Sequence, residues 1–255
     1  MELKAAIATA IARAKMSPLF EICGYIICRS GGDYQFYECQ NIAADRSDGF
    51  EIDMLDTDAA RSMGEIVYVV HSHPDAYHLP HLSAFDRIAQ YDNRDGDWLL
   101  IKPNWTAEAF APIPKFRGRD YVVGVTDCYS IMQDYYAMCG VRMDNYKRDS
   151  DWWDEGQNLY LDNIEREGFR RVELADLQPG DTMLFNYASS VPNHCGIYLG
   201  DNEFIHHITN RKSKIDIIDK FWIKFCNSIW RNSTTPPAIH QMVIDRIKSE
   251  TLTNG

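Results

Sequence analysis

The chain has 255 residues, 45% hydrophobic and 25% charged, which excludes a wholly disordered polypeptide and suits one large domain or two small ones. A formal charge of −11 argues against sequence-nonspecific nucleic-acid binding, because such binding is carried by cationic side chains on phosphates. No apolar run approaches the roughly 20 residues of a membrane-crossing helix.

The opening segment MELKAAIATAIARAKM carries charges at Glu2, Lys4, Arg13 and Lys15 and lacks the basic start and cleavage context of a secretory leader, so a helix is expected over 3–15. Two strands follow, Gly24–Cys28 and Tyr34–Gln40, around the turn-forming Ser30-Gly31-Gly32. A short strand near 50–53, a helix near 57–63, a buried Val/Ile strand over Glu65–Val70, a helix near 83–94 and strands near 97–102 and 105–110 complete the first half. Pro112 and Pro114 disfavour helix and strand alike and mark a linker. Beyond it, a helix is expected from Asp127 to Cys139 and helical segments near 151–167. Strands follow over 181–185, 194–199, 203–208 and 222–231, and the segment from Ser233, with Thr, Pro and room for one short helix, suits a flexible tail. Residues 1–112 hold 9 basic and 17 acidic residues, so most of the negative charge lies before the prolines.

Seven cysteines are scattered without a CxxC pair, which suits a reducing cytoplasm and suggests neither a zinc ribbon nor a thioredoxin-type site. Two constellations carry chemistry. In the first, His71 and His73 stand two apart on an extended segment, so both imidazoles project to one face. Asp86 on the following helix supplies a carboxylate, and two His with one carboxylate leave a fourth tetrahedral position for water, the layout of a hydrolytic zinc site. Glu21 upstream is available to move protons. The bland alternative is a polar loop with solvent-facing histidines. In the second, Cys128 begins a helix capped by Asp127, and the helix dipole favours its thiolate. His194 and His206 lie on neighbouring strands joined through Gly200-Asp201-Asn202, so their rings can touch as base and orienter. The bland alternative for Cys128 is a buried packing thiol, the role expected of the other six cysteines. Trp152, Trp153 and Trp222 suit either core packing or a substrate groove.

The first half, with Glu21 in an E-x-C-G context, then His71-Ser72-His73-Pro74, then Ser83-Ala84-Phe85-Asp86, resembles the JAMM/MPN metalloproteases. That resemblance implies Zn2+ on His71, His73 and Asp86, Glu21 as general base and Ser83 at the oxyanion. Nine residues separate His73 from Ser83, longer than the family's usual spacing. Either the loop bulges, or His78 or His81 disturbs or replaces a ligand. The second half resembles the NlpC/P60 cysteine peptidases through Tyr121-Val122-Val123-Gly124, Asp127-Cys128-Tyr129-Ser130, Pro179-Gly180-Asp181, His194-Cys195-Gly196-Ile197-Tyr198-Leu199-Gly200 and Ile205-His206. It implies Cys128 as nucleophile, His194 as base, His206 as its orienting residue and Tyr121 as a hydroxyl near the oxyanion, with Tyr129 an unusual insert.

The expected fold is therefore α+β in two domains. Residues 1–112 form a JAMM/MPN-like mixed sheet, of the cytidine-deaminase type, with flanking helices. Residues 113–232 form a papain-like domain whose Cys-bearing helix packs on an antiparallel sheet, and 233–255 are a tail. This domain order resembles the tail tip assembly proteins of long-tailed bacteriophages. It implies manufacture in the host cytoplasm, use at or in the virion tail tip, other tail tip proteins as partners, and cleavage of peptidoglycan stem peptides between D-glutamate and diaminopimelate. The alternative from another class is a structural or chaperone component of the tail with one or both sites vestigial.

Overall fold

The computed structural model describes residues 1–74, 79–94 and 96–251. They divide into two compact units, Met1–Ile113 and Pro114–Gly255.

The first unit runs α1 (Leu3–Lys15), β1 (Cys23–Cys28), β2 (Tyr34–Cys39), α2 (Met54–Met63), β3 (Glu65–Ser72), α3 (Ala84–Asp92), β4 (Asp97–Ile101) and β5 (Ala107–Phe110). Its five-stranded sheet has the order β2-β1-β3-β4-β5. All pairs are antiparallel except β3 with β4, which run parallel with α3 as the crossover. Strand alternation divides the core in two. Ile26, Val70, Leu99 and Ile101 face α1, whereas Tyr25, Val69, Trp98 and Leu100 pack with Ala60 of α2. Ala6, Ala10 and Ala14 recur every four residues on α1 and are fully buried, so the helix lies close against the sheet on a stripe of methyl groups. The short strand expected near 50–53 reduces to a bridge between Asn41 and Ile52. The helix after it begins earlier than expected because Asp53 caps it, its side chain accepting from Leu55 N at 2.7 Å.

The second unit runs α4 (Cys128–Met138), a short 3-10 turn (Trp152–Glu155), α5 (Leu159–Asn163), β6 (Phe169–Val172), β7 (Thr182–Phe185), β8 (His194–Gly200), β9 (Glu203–His206), β10 (Lys214–Ile217), α6 (Lys220–Phe225), β11 (Cys226–Asn232) and α7 (Pro237–Ser249). Its six strands are antiparallel in the order β10-β9-β8-β7-β11-β6, and α4, with Ile131 and Met132 buried, packs on β8. The segment expected as a single strand over 222–231 starts as α6, since the Asp219 side chain accepts from Phe221 N and Trp222 N and so nucleates a turn before β11.

Residues 233–255, expected as a flexible tail with at most one short helix, carry the 13-residue α7, packed rather than loose. Ile239, Val243, Ile244 and Ile247 recur at helical spacing and are buried, and Pro237 sits in the first turn, where its missing N–H costs nothing. Glu250 then accepts from Phe116 N and Arg117 N, both at 2.8 Å, which ties the end of this helix to the start of the unit. Among the described residues no helix is long and apolar enough to cross a membrane.

Candidate functional site

In the first unit, antiparallel pairing of β1 with β3 sets Cys23 opposite His71, so the chain just before β1 brings Glu21 beside His73, with Glu21 Oε1 4.0 Å from His73 Nε2. His71 and His73 share a face of β3 and its extension, and Asp86 reaches them from the first turn of α3. His71 Nε2 lies 3.6 Å from Asp86 Oδ1, and His73 Nε2 lies 3.5 Å from Asp86 Oδ2. Ser83 caps α3 reciprocally with Asp86: Asp86 N donates to Ser83 Oγ at 3.2 Å, while Ser83 N and Oγ donate to Asp86 Oδ2 at 2.8 and 2.7 Å. The Ser83 hydroxyl, expected at the oxyanion, thus spends its proton on holding Asp86. His73 Nδ1 meets the Leu79 carbonyl oxygen at 2.6 Å; a proton on Nδ1 leaves Nε2 with its lone pair toward the cluster.

These donors fit a zinc ion. His71 is fully buried and neither ring nitrogen has a hydrogen-bond partner among the described residues, a costly arrangement unless something else takes the lone pair. One donor atom from each of His71, His73 and Asp86 lies within 4.8 Å of the others. Bonds of about 2.0–2.2 Å to a tetrahedral ion put donors about 3.3–3.6 Å apart, and each histidine comes about that close to one oxygen of Asp86, His71 to Oδ1 and His73 to Oδ2. Burial pushes His71 down against the pull of Asp86, so its ring is neutral and able to ligate. Burial works against ionisation of Asp86, but its contacts with His71, His73 and Ser83 outweigh it, and its carboxyl sits well below the usual range. Glu21 moves the other way: burial, then the charges of Asp86 and Asp48, push it up to about 9. Phe50 stacks on His71 at 4.6 Å, and with Trp98, Tyr25, Leu79 and Ser83 it lines a cavity of about 540 Å³ that opens onto Glu21, His73 and Asp86. His81 turns its ring to the Leu82 carbonyl oxygen at 3.1 Å, apart from the cluster, and His78 lies outside the described residues.

In the second unit Cys128 opens α4. Asp127 caps the helix, accepting from Ser130 N at 2.9 Å, and is itself gripped by Gly124 N at 2.7 Å and by Arg148 Nε and Nη2 at 2.6 and 2.9 Å. Beyond the helix start, three groups stand in line: His194 Nε2 lies 3.0 Å from His206 Nδ1, and His206 Nε2 lies 3.1 Å from Asp216 Oδ2. A carboxylate only accepts, so the proton order follows from Asp216. His206 donates through Nε2 and accepts at Nδ1 from His194 Nε2, and Nδ1 of His194 is left as the base. Burial, then the neighbouring charges of His194, Lys214 and His207, lower His206 to about 2, so it stays neutral while it orients His194. Trp222 walls this line, with ring centroids 5.8 Å from His194 and 4.9 Å from His206. The nearness of Cys195 and of His194 holds the Cys128 thiol well below its ordinary value, against burial.

Tyr121 lines the same cleft as Cys128, together with Trp152, Trp153 and Asn193. Its ring stands edge-on to His207 at 5.1 Å, and its hydroxyl hydrogen-bonds Thr209. His207 turns away from His206 toward the Arg211 carbonyl oxygen at 3.0 Å. Three neighbours of the site are not announced by the sequence: Asp216, Tyr160, whose hydroxyl is 3.3 Å from Cys128 Sγ, and Cys195, whose thiol donates to the Cys128 carbonyl at 3.1 Å. The alternation Lys214-Ile215-Asp216-Ile217 was the available signal for Asp216, since β10 pairs with β9 and sets Lys214 opposite His206.

Comparison with known proteins matches both halves. Residues 3–105 fit the family model for prokaryotic homologs of the JAB domain, and residues 118–231 fit that of the NlpC/P60 family. The tail tip assembly protein K of Escherichia phage lambda is 43% identical over 173 residues, which cover 68% of this chain and 85% of that protein. The chain belongs to the tail tip assembly protein K family. A second relative, the tail tip assembly protein K of Escherichia phage N15, is 29% identical over 212 residues, covering 79% of this chain and 84% of its own length. Within the family's two matched regions, the JAB-type segment contains Glu21, His71, His73, Ser83 and Asp86. The NlpC/P60 segment contains Tyr121, Cys128, His194 and His206 together with Tyr160, Cys195 and Asp216.

Proposed function

We propose that this chain is a phage tail tip protein with two amide-hydrolysing domains, residues 1–112 and 113–232, the segment after 232 completing the second. The second acts as a cysteine endopeptidase on peptidoglycan stem peptides. The observation that carries this reading is the line from Asp216 through His206 and His194 toward a Cys128 thiol at a helix N-terminus. Cys128 gives its proton to His194 Nδ1, and the sulfur attacks the amide carbonyl carbon. Main-chain N–H groups at the start of α4 and the Tyr121 hydroxyl hold the oxyanion. His194 returns the proton to the leaving nitrogen as the C–N bond breaks. Water, losing a proton to His194, then cleaves the thioester and restores Cys128.

In the first domain His71, His73 and Asp86 would hold Zn2+, which when bound supplies a Lewis acid for hydrolysis of an amide or isopeptide. Glu21, which the positive charge of a bound ion would return to its carboxylate form, would take a proton from the attacking water and pass it to the leaving amine. Ser83, on the wall of the same cavity, would swing its hydroxyl from Asp86 to the oxyanion, while its main-chain N–H keeps hold of Asp86. The protein would be made in the host cytoplasm and used at, or built into, the virion tail tip beside other tail tip proteins. The test is Cys128→Ala assayed on purified peptidoglycan: release of stem peptides should disappear, and undiminished release overturns the assignment.

The name of the relatives favours a second reading, an assembly component whose sites are vestigial. A double variant, Cys128→Ala with His71→Ala, separates the two. Full virion assembly and infectivity would make the role structural.

A further inference from the structure

The Cys128 sulfur sits in a cradle of neutral donors. Tyr160 of α5 is buried, with its hydroxyl 3.3 Å from Cys128 Sγ and 3.2 Å from Cys195 Sγ. Cys195, on β8 next to His194, directs its thiol to the Cys128 carbonyl oxygen at 3.1 Å. Three polar hydrogens, those of Cys128, Cys195 and Tyr160, therefore share one buried cluster, and only Cys128 is placed to lose its proton to His194.

The other groups facing Cys128 are accounted for. Asp127 is locked to Arg148, the Tyr121 hydroxyl is held by Thr209, His207 goes to Arg211, and His206 acts through His194. When Cys128 is a thiol, the Tyr160 O–H bonds Cys195 Sγ and the Cys195 S–H bonds the carbonyl. A thiolate is a stronger acceptor than either.

We infer that Tyr160 and Cys195 are positioning residues for the nucleophile, which turn their O–H and S–H onto the Cys128 sulfur when it becomes a thiolate. No proton leaves either residue. The Cys128 proton goes to His194, and the two neutral hydrogen bonds swing to the sulfur. When the sulfur's electron pair forms the bond to the acyl carbon its charge is gone, and both donors swing back. The inference rests on Cys128 being the nucleophile and extends that reading to the groups that stabilise it.

The test is the pH dependence of iodoacetamide alkylation at Cys128, followed on its own peptide by mass spectrometry in the full chain. Hydrogen bonds to a charged group are strong enough to move the midpoint by about one to two pH units each. Tyr160→Phe keeps the ring and removes the donor, so the midpoint should rise by that amount, and the acidic limb of peptide hydrolysis should move with it. Cys195→Val should raise it similarly, and Cys195→Ser, which restores a donor, should bring it back. An unchanged midpoint in Tyr160→Phe overturns the role of the hydroxyl. A Cys195→Ser midpoint as high as that of Cys195→Val overturns the role of the thiol. An ordinary wild-type midpoint near 8.5 that still rises in these variants overturns the poised nucleophile and leaves the cradle standing.

Discussion

Arg148→Met tests whether the nucleophile helix hangs on a buried ion pair. Asp127 has four donors: each carboxylate oxygen accepts one main-chain N–H, from Gly124 or Ser130, and one guanidinium N–H from Arg148. The Arg148 and Asp127 side chains are only 3% and 4% exposed. Methionine keeps most of the stem's volume and leaves the carboxylate with two donors and no cation. Breaking a buried pair by removing one partner costs about 3–5 kcal/mol, which at a urea slope near 2 kcal/mol/M lowers the unfolding midpoint by about 1.5–2.5 M. The pH dependence is a second reading of the same cause. Burial raises the Asp127 carboxyl, and the guanidinium overcomes this and holds it low. In the parent chain its stabilisation is therefore present above the unfolded carboxylate range and lost as pH falls through the depressed folded value. In the variant only the two main-chain donors oppose burial, so the carboxyl moves up and its charge destabilises at neutral pH. The gap between the two proteins should be widest near pH 7 and shrink toward pH 4. Adding Asp127→Asn to Arg148→Met should recover part of the loss. A midpoint shift below about 0.5 M at pH 7, or a gap independent of pH, would refute this account of the helix start.

Other consequences follow from single residues. Glu21→Gln should keep stoichiometric zinc in metal analysis yet lose roughly 10²–10⁴ in amide hydrolysis by the first domain; loss of zinc or unchanged hydrolysis would remove Glu21 as the base. Gly180→Ala should lower the thermal midpoint by the equivalent of about 2–4 kcal/mol. A Cβ there would lie 2.3 Å from His240 Nδ1 at a φ of +95°, and Tyr135 holds that ring at 2.9 Å; an unshifted midpoint would refute the contact. Burial lowers His240 to about 4. Between pH 6.5 and 4 the unfolded chain therefore binds a proton that the folded chain refuses, and stability falls as pH falls across that window, by up to about 3 kcal/mol. His240→Gln should flatten that part of the pH–stability curve, and equal slopes in both proteins would count against it.

Local chemistry was legible in the sequence because it depends on neighbours in the chain. The spacing of His71 and His73 on an extended segment, the Ser83–Asp86 pair at a helix start, and Cys128 behind a capping Asp127 each declare themselves within a few residues. The hairpin through Gly200 likewise fixes His194 near His206. What the sequence did not declare depends on contacts across the fold. Asp216 joins the line only because β10 pairs with β9. Arg148 reaches Asp127 from 21 residues away, and Tyr160 reaches Cys128 from 32. Cys195 looked like packing because burial and reactivity share one signature in a free thiol. Residues 233–250 looked like a tail because the Thr/Pro stretch hid a short amphipathic repeat, which becomes a helix only against a surface that buries Ile239, Val243 and Ile247. Periodicity and capping are written along the chain. Which side chains complete a buried polar network is set only when distant elements close on one another and every enclosed donor must find an acceptor.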